Sequence, residues 1–277
     1  MESARLSLLG KTTSFSNTMK KPFNRRRFLR RLALFGTPLF ALGDMIWLEP
    51  HWLKVSRLRL AGSSPAARFV HFTDLHHKGD RKWLASIVSR INSLKPEFVC
   101  FTGDLIEEKE HLAETLEFLK QLNAPLFGVP GNHDYWSHAD FGEIAMAFAA
   151  TGGAWLMDKS IAAPGGKVFL HGFSCEGKST VSLPPKPGVK NVLLAHYPLW
   201  CEKVAPHRYD LMLAGHSHGG QVRIPFYGGV TIPYGVGPYE LGRYETPAGP
   251  LYVGAGIGYF YLNFRFRCRP EITLVEI

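Results

Sequence analysis

Between residues 67 and 218 short apolar runs alternate with stretches of helical period, and five of those runs end in the same kind of chemistry. Phe69–Phe72, Phe98–Phe101, Leu126–Val129, Val192–Ala195 and Leu211–Ala214 have the length and apolarity of buried strands. Between them Trp83, Leu84, Ile87, Val88, Ile91 and Leu94 recur at helical spacing, as do Leu112, Leu116, Leu119 and Leu122. A third helix is expected from about Phe141 to Phe148. The alternation predicts a layered α/β domain. Ala154–Met157 and Val168–Leu170, flanking Pro164-Gly165-Gly166, read as a hairpin. After Gly219 the chain is rich in glycine, proline and aromatic residues, as expected of strands and long loops closing on Ile272–Val275.

The residues that follow the five runs are Asp74-Leu75-His76, Gly103-Asp104, Gly131-Asn132-His133-Asp134, His196 and Gly215-His216-Ser217-His218. In layered α/β proteins strand ends facing the loops are where ligands bind, so residues remote in sequence converge there. Imidazoles, carboxylates and one amide, with no thiolate, suit manganese, iron or zinc. Residues at i and i+2 on an extended segment point the same way, which puts Asp74 and His76 on one ion and lets His216 and His218 straddle two. Asp104 can bridge through its two oxygens, and Gly131 is read as a tight turn. Two ions so held would activate a water and bind the oxygens of a phosphoryl group. Single histidines are weaker signals: His77 is expected to face away from His76, and His71 and His171, inside apolar strands, to satisfy backbone groups.

The ordered set D-x-H, G-D, G-N-H-D, H and G-H-x-H, from Asp74 to His218, resembles the calcineurin-like dinuclear metallophosphoesterases. The resemblance implies a metallo-dependent phosphatase-like four-layer α-β-β-α sandwich with two divalent metal ions at the strand ends. It implies that Asp74, His76 and His218 bind the first ion, that Asp104 bridges, and that Asn132, His196 and His216 bind the second. His133 would stabilise the phosphoryl group or protonate the leaving oxygen, with Asp134 orienting it. The nucleophile would be a hydroxide activated between the ions.

The positive charge is confined to one end. Residues 1–60 hold 12 Lys/Arg against 3 Asp/Glu, and residues 61–277 hold 20 against 20, so the whole net charge of +9 lies in the first 60. That distribution argues against a globally basic nucleic-acid binder. Asn24-Arg25-Arg26-Arg27-Phe28-Leu29-Arg30, followed by the uncharged run Leu32–Gly43, resembles a twin-arginine export signal. At 12 residues the run is shorter than the roughly 20 that span a bilayer as a helix. Met19-Lys20-Lys21 offers an alternative translation start. Trp47, Trp52, Lys54, Arg57 and Arg59 suit either a headgroup region or a first strand. The expected organisation is a leader or anchor at 1–43, a connecting segment at 44–66 and a catalytic domain at 67–277. The four cysteines are dispersed, with no C-x-x-C pair, so neither a zinc ribbon nor a dense disulfide framework is indicated.

The leader, Glu49-Pro50-His51-Trp52, Gly219-Gly220-Gln221 and Arg265–Glu271 look like the bacterial membrane-associated phosphodiesterase branch, which includes enzymes similar to UDP-2,3-diacylglucosamine pyrophosphatases. The expected activity is metal-dependent hydrolysis of a lipid- or nucleotide-linked phosphodiester or pyrophosphate, at or across the cytoplasmic membrane. The alternatives are a phosphoprotein or phosphomonoester phosphatase and a non-catalytic membrane scaffold. Arg265 is the candidate phosphate or headgroup clamp, since a guanidinium binds phosphate oxygens in pairs, with a structural salt bridge as the competing reading. Tyr259, Phe260, Tyr261 and Phe264 suit either an apolar lip for an acyl chain or the core of a sheet.

Overall fold

The computed structural model describes residues 24–62, 64–175, 182–204 and 206–277. The segment before Met19, and Met19 itself, lie outside them. The chain divides into two units, Met1–Ala41 and Leu42–Ile277.

In the first unit the described residues are helical from Arg25, with Asn24 as cap, its side-chain oxygen accepting from Arg27 N. The uncharged run Leu32–Gly43 understates the helix. One helical run continues from Arg25 to His51, 27 residues, because neither Asp44 nor Glu49 interrupts helical geometry. At 1.5 Å per residue it is about 40 Å long, enough in length and composition to cross a membrane. Leu34, Phe35, Leu39, Phe40 and Trp47 on this run are exposed.

The second unit holds two six-stranded sheets. The first has the order β1 (Lys54–Arg59), β14 (Glu271–Glu276), β2 (Arg68–Phe72), β3 (Val99–Phe101), β4 (Leu126–Gly128) and β5 (Ala154–Trp155). The second has the order β12 (Gly242–Thr246), β13 (Gly249–Val253), β9 (Leu211–Ala214), β8 (Lys190–Leu194), β7 (Val168–Gly172) and β6 (Lys159–Ala162). A two-stranded ribbon, β10 (Arg223–Ile224) with β11 (Gly228–Gly229), lies outside both sheets. Lys54–Arg59, open to two readings in the sequence, is the edge strand of the first sheet, parallel to β14.

Period-2 alternation sorts the strand side chains into two cores. Val70, Phe72, Val99 and Phe101 face the helices Arg81–Ser93, Leu112–Leu119 and Phe141–Ala150, packing against Leu84, Ile87, Leu116 and Phe148. Phe69, Cys100 and Phe127 face the other sheet and meet Leu170, Val192, Leu194 and Leu213. Beyond the second sheet, Leu193, Met212 and Val253 pack on Trp200, Cys201 and Val204, from the short helix Trp200–Lys203 and its C-terminal side. The layer order is helix, sheet, sheet, helix, as expected, with a thin fourth layer.

The expected hairpin is wrong in one arm. Ala154–Trp155 pairs with β4 in the first sheet, and the partner of β7 is Lys159–Ala162. All four residues of that strand are exposed, so burial imposes no apolar period on its sequence. His71 and His171 also differ from expectation. Their ring nitrogens bond side chains, His71 Nε2 to Thr102 Oγ1 and His171 to Ser160 and Asn191.

Candidate metal centre

β2, β3 and β4 run parallel, as do β8 and β9, so each sheet delivers its strand C-termini to a common end. Asp74, Asp104 and Asn132 follow the strands of one sheet, and His196, His216 and His218 those of the other. The two sets meet in the buried interior. Asp104 Oδ2 lies 3.3 Å from His76 Nε2 and 3.2 Å from His196 Nε2. His218 Nε2 is 3.1 Å from His76 Nε2 and 3.7 Å from Asp74 Oδ1. His196 Nε2 is 3.0 Å from Asn132 Oδ1 and 3.1 Å from His216 Nδ1. Potential ligand atoms of Asp74, His76 and His218 form one close group, and those of Asp104, His196 and His216 a second. His218 belongs to the first group and His216 to the second.

The backbone that achieves this is not extended. Asp74, His76, Asp104, His216 and His218 have φ of 50°, 40°, 64°, 65° and 47°. Side chains with a Cβ adopt this left-handed region rarely, at a cost on the order of 1–3 kcal/mol each. The i and i+2 side chains come together because the chain turns there, and not through the strand alternation expected from their spacing. Gly131 is a second correction. Its φ of −102° is ordinary, and what the position excludes is a side chain, since a Cβ there would lie 2.1 Å from Asp104 Oδ1.

Three of the four outer ring nitrogens have an oxygen partner. His76 Nδ1 is 2.7 Å from Glu107 Oε2, His196 Nδ1 2.7 Å from Thr102 O, and His216 Nε2 2.8 Å from Tyr234 O. An N–H donated outward fixes the tautomer and leaves the inner nitrogen as a lone pair, the arrangement metal-binding imidazoles use. Inner nitrogens 3.1 Å apart cannot both donate to each other, and their lone pairs repel unless a proton or cation lies between. His218 Nδ1 is buried without a hydrogen-bond partner. Carboxylate, amide and imidazole donors aimed at two points therefore fit two divalent cations.

Electrostatics agree. Burial disfavours charge on His76, but the hydrogen bonds and charges of Asp104, Glu107 and Asp74 outweigh it and raise its pKa to about 10. His196 is likewise raised to about 9, mainly by Asp104 against burial. Burial pushes Asp104 upward, yet His196 and His76 hold it well below the usual carboxylate range. Burial lowers His216 to about 3, and burial with the neighbouring His76 charge lowers His218. In the metal-free protein these surroundings favour a proton on His76 and His196 and disfavour one on His216 and His218. Loading should release a proton from each of the first two, and affinity should rise with pH until about 9–10. Calorimetry at pH 7 in buffers of different ionisation enthalpy is expected to show proton release on metal binding; a buffer-independent heat would refute this protonation pattern.

Two expected roles move. Asp134 does not touch the His133 ring: its carboxylate accepts from the backbone N–H groups of Asp104, Leu105 and Gly131 at 2.8–2.9 Å. It fixes the loops that carry the ligands, and burial with the Asp104 charge raises it to about 6. The carboxylate on His133 is Glu107, with Oε2 at 3.2 Å from Nδ1. Glu107 was missed, although its place three residues after Asp104 on the same loop was a usable signal. Because it bonds both His76 and His133, Glu107→Gln is expected to lower phosphodiester turnover about 10–100-fold with little change in melting temperature. A variant of unchanged kcat/KM would remove Glu107 from the site.

Arg265 is not the phosphate clamp. It is 1% exposed, and its guanidinium donates to the carbonyls of Ala255, Gly256, Gly258 and Cys268. That segment backs the centre: Gly258 N donates to Asp74 O at 2.7 Å, and Cys268 Sγ to His218 O at 3.2 Å. Glu49, at the end of the N-terminal helical run, accepts from the backbone N–H groups of Arg267 and Cys268. His77 does turn away from the centre, to Glu114 Oε1 at 2.7 Å.

Known proteins resemble the chain at this centre and beyond it. The calcineurin-like phosphoesterase family matches residues 67–220. An uncharacterized metallophosphoesterase of Bacillus subtilis, YkuE, is 30% identical over 93% of this chain and 98% of its own. The phosphodiesterase YaeI of Escherichia coli is 29% identical over 92% and 99%. The UDP-2,3-diacylglucosamine pyrophosphatase LpxG of Chlamydia trachomatis is 27% identical over 87% and 95%. With the family match running through every block from Asp74 to His218, and a relative 30% identical over nearly its whole length, the chain belongs to the calcineurin-like phosphoesterases and is a phosphoester hydrolase.

Proposed function

We propose that the protein hydrolyses a phosphodiester or pyrophosphate bond at a dinuclear centre held by Asp74, His76, Asp104, Asn132, His196, His216 and His218, on a lipid- or nucleotide-linked substrate. The observation that carries it is Asp104 Oδ2, within 3.3 Å of imidazole nitrogens from both ligand groups, with each outer nitrogen of those rings held by an oxygen. Two divalent ions, of manganese, iron or zinc, would supply charge neutralisation and an acidified water when bound. The chain's own residues do the rest. Asp104 ties the two ligand groups together while its Oδ1 accepts from His133 N at 2.8 Å, setting the start of the helix that carries His133. Glu107 holds His133 Nδ1, leaving Nε2 to bond a phosphoryl oxygen or to give a proton to the leaving oxygen.

The N-terminal helical run supports the reading of a membrane-tethered or exported enzyme, with the arginines at its start as the basic flank. The test is turnover of bis-p-nitrophenyl phosphate and p-nitrophenyl phosphate by the purified chain with each of the three metals. Metal-dependent cleavage favouring the diester, abolished by chelation and reduced about 10²–10⁴-fold in His133→Ala, is expected. Absence of metal-dependent turnover, or an unaffected His133→Ala, would end the proposal.

A further inference from the structure

A cavity of about 560 Å³ opens directly on the centre, with Asp104, Asn132, His133, His216 and His218 at one end. Its size is that of a ligand pocket, typically about 300–1,000 Å³. Away from the centre its walls are mostly apolar, built by Met45, Val230, Phe260, Leu262 and Phe264, with Trp136 beside His133 and with Gln221 and Thr231 as the polar members. No lysine or arginine among the described residues lines it. A nucleotide's second phosphate or a peptide would leave its charges and polar groups unmatched against such walls. A hydrocarbon suits the apolar part of the wall, and the Gln221 amide is already bonded within the protein, to the Leu262 and Phe264 carbonyls and from Phe260 N.

The mouth is apolar as well. Trp136, Val230, Tyr261 and Leu262 line the cavity and are themselves half or more exposed, and Tyr234 follows on the same loop as Val230. Large apolar side chains gathered at one opening mark a contact surface, and rings with a polar tip suit the lipid headgroup level. Met45, a wall residue, belongs to the helical run that is long and apolar enough to cross a membrane, and its neighbours Ile46, Trp47 and Leu48 are exposed. Met45 thus joins the wall of the cavity to the exposed apolar residues Ile46, Trp47 and Leu48 of the same unit.

We propose that the cavity receives the hydrocarbon chain of a bilayer lipid phosphoester, drawn in through the rim of Trp136, Val230, Tyr261 and Leu262 until the phosphoryl group reaches the metal end. This rests on the hydrolase reading and narrows its substrate from lipid- or nucleotide-linked to lipid-linked. The cleaved bond is still the phosphoester, and the chain contributes only binding.

The experiment uses the full, manganese-loaded protein and a series of p-nitrophenyl alkyl phosphates from ethyl to hexyl, below their aggregation concentrations. Burial of each methylene is expected to raise kcat/KM about fourfold, on the order of 10²-fold across the series. Leu262→Asp, at an exposed position where folding is not at stake, should cut the hexyl-to-ethyl ratio at least about tenfold. Decyl phosphate should bind at least about 100-fold more tightly than ethyl phosphate by calorimetry, a readout independent of turnover. A decyl ester carried in phosphatidylcholine vesicles should be cleaved at a rate set by its surface fraction. A flat series with the ethyl ester still cleaved, or equal binding of the two phosphates, would overturn the cavity assignment and leave the hydrolase reading standing. Cleavage of monomers with vesicle-borne ester spared would overturn the bilayer source. If no diester is cleaved with any metal while decyl phosphate binds preferentially, the hydrolase reading fails and the apolar site stands.

Discussion

Replacing Asp104 with alanine is expected to lower metal-dependent diester hydrolysis about 10³-fold, or about 4 kcal/mol of transition-state stabilisation, and to strip the purified protein of most of its metal. The size follows from position. One oxygen of this fully buried carboxylate stands between His76 and His196, and the other accepts from His133 N. Its loss removes the link between the two ligand groups and frees the loop carrying His133. Asp104→Asn separates the two effects, because an amide oxygen can keep the bond from His133 N while the negative charge is gone. The asparagine variant should melt close to the parent and still lose metal. Elemental analysis with a diester assay decides it: a variant that keeps its metal and turns over within tenfold of the parent would mean that Asp104 is not the bridge.

Arg265→Met should instead act on stability, lowering it by about 3 kcal/mol or more and the melting temperature by about 10 °C. Four carbonyls of a buried segment lose their donor, and unpaired buried acceptors cost about 1–3 kcal/mol each before water or local relaxation offsets part of it. Arg265→Lys should rescue little, since a single ammonium cannot reach four acceptors arranged for a planar fork. Thermal unfolding alongside diester kinetics distinguishes this from a phosphate clamp. An undisturbed melting curve with a selective rise in KM would restore the substrate-binding role.

Much of the architecture was legible because its signals are local. Leu112, Leu116 and Leu119 mark one helix face by spacing alone, and Val70 and Phe72 mark one strand face in the same way. The edges were harder to read. Lys159–Ala162 is exposed throughout, so burial imposes no apolar period on its sequence, and only its pairing with β7 makes it a strand. The membrane-length helix was understated for a related reason: a count of uncharged residues stops at Asp44, whereas helical hydrogen bonding does not.

At the site, residue type and order were sufficient to propose a ligand set, because imidazole, carboxylate and amide groups at the ends of apolar runs restrict the chemistry to hard or borderline cations. Direction was not available. Which nitrogen of His76 faces inward depends on Glu107, that of His196 on the Thr102 carbonyl, and that of His216 on the Tyr234 carbonyl. The exchange of roles between Asp134 and Glu107, and the burial of Arg265, likewise follow from contacts between segments remote in sequence. The sequence by itself determined what the strand ends carry, since apolar period and ligand chemistry are properties of the residues. Only the tertiary structure decided which atoms meet and which charges are buried, because hydrogen-bond partners and exclusion from water come from the packing of one sheet against another.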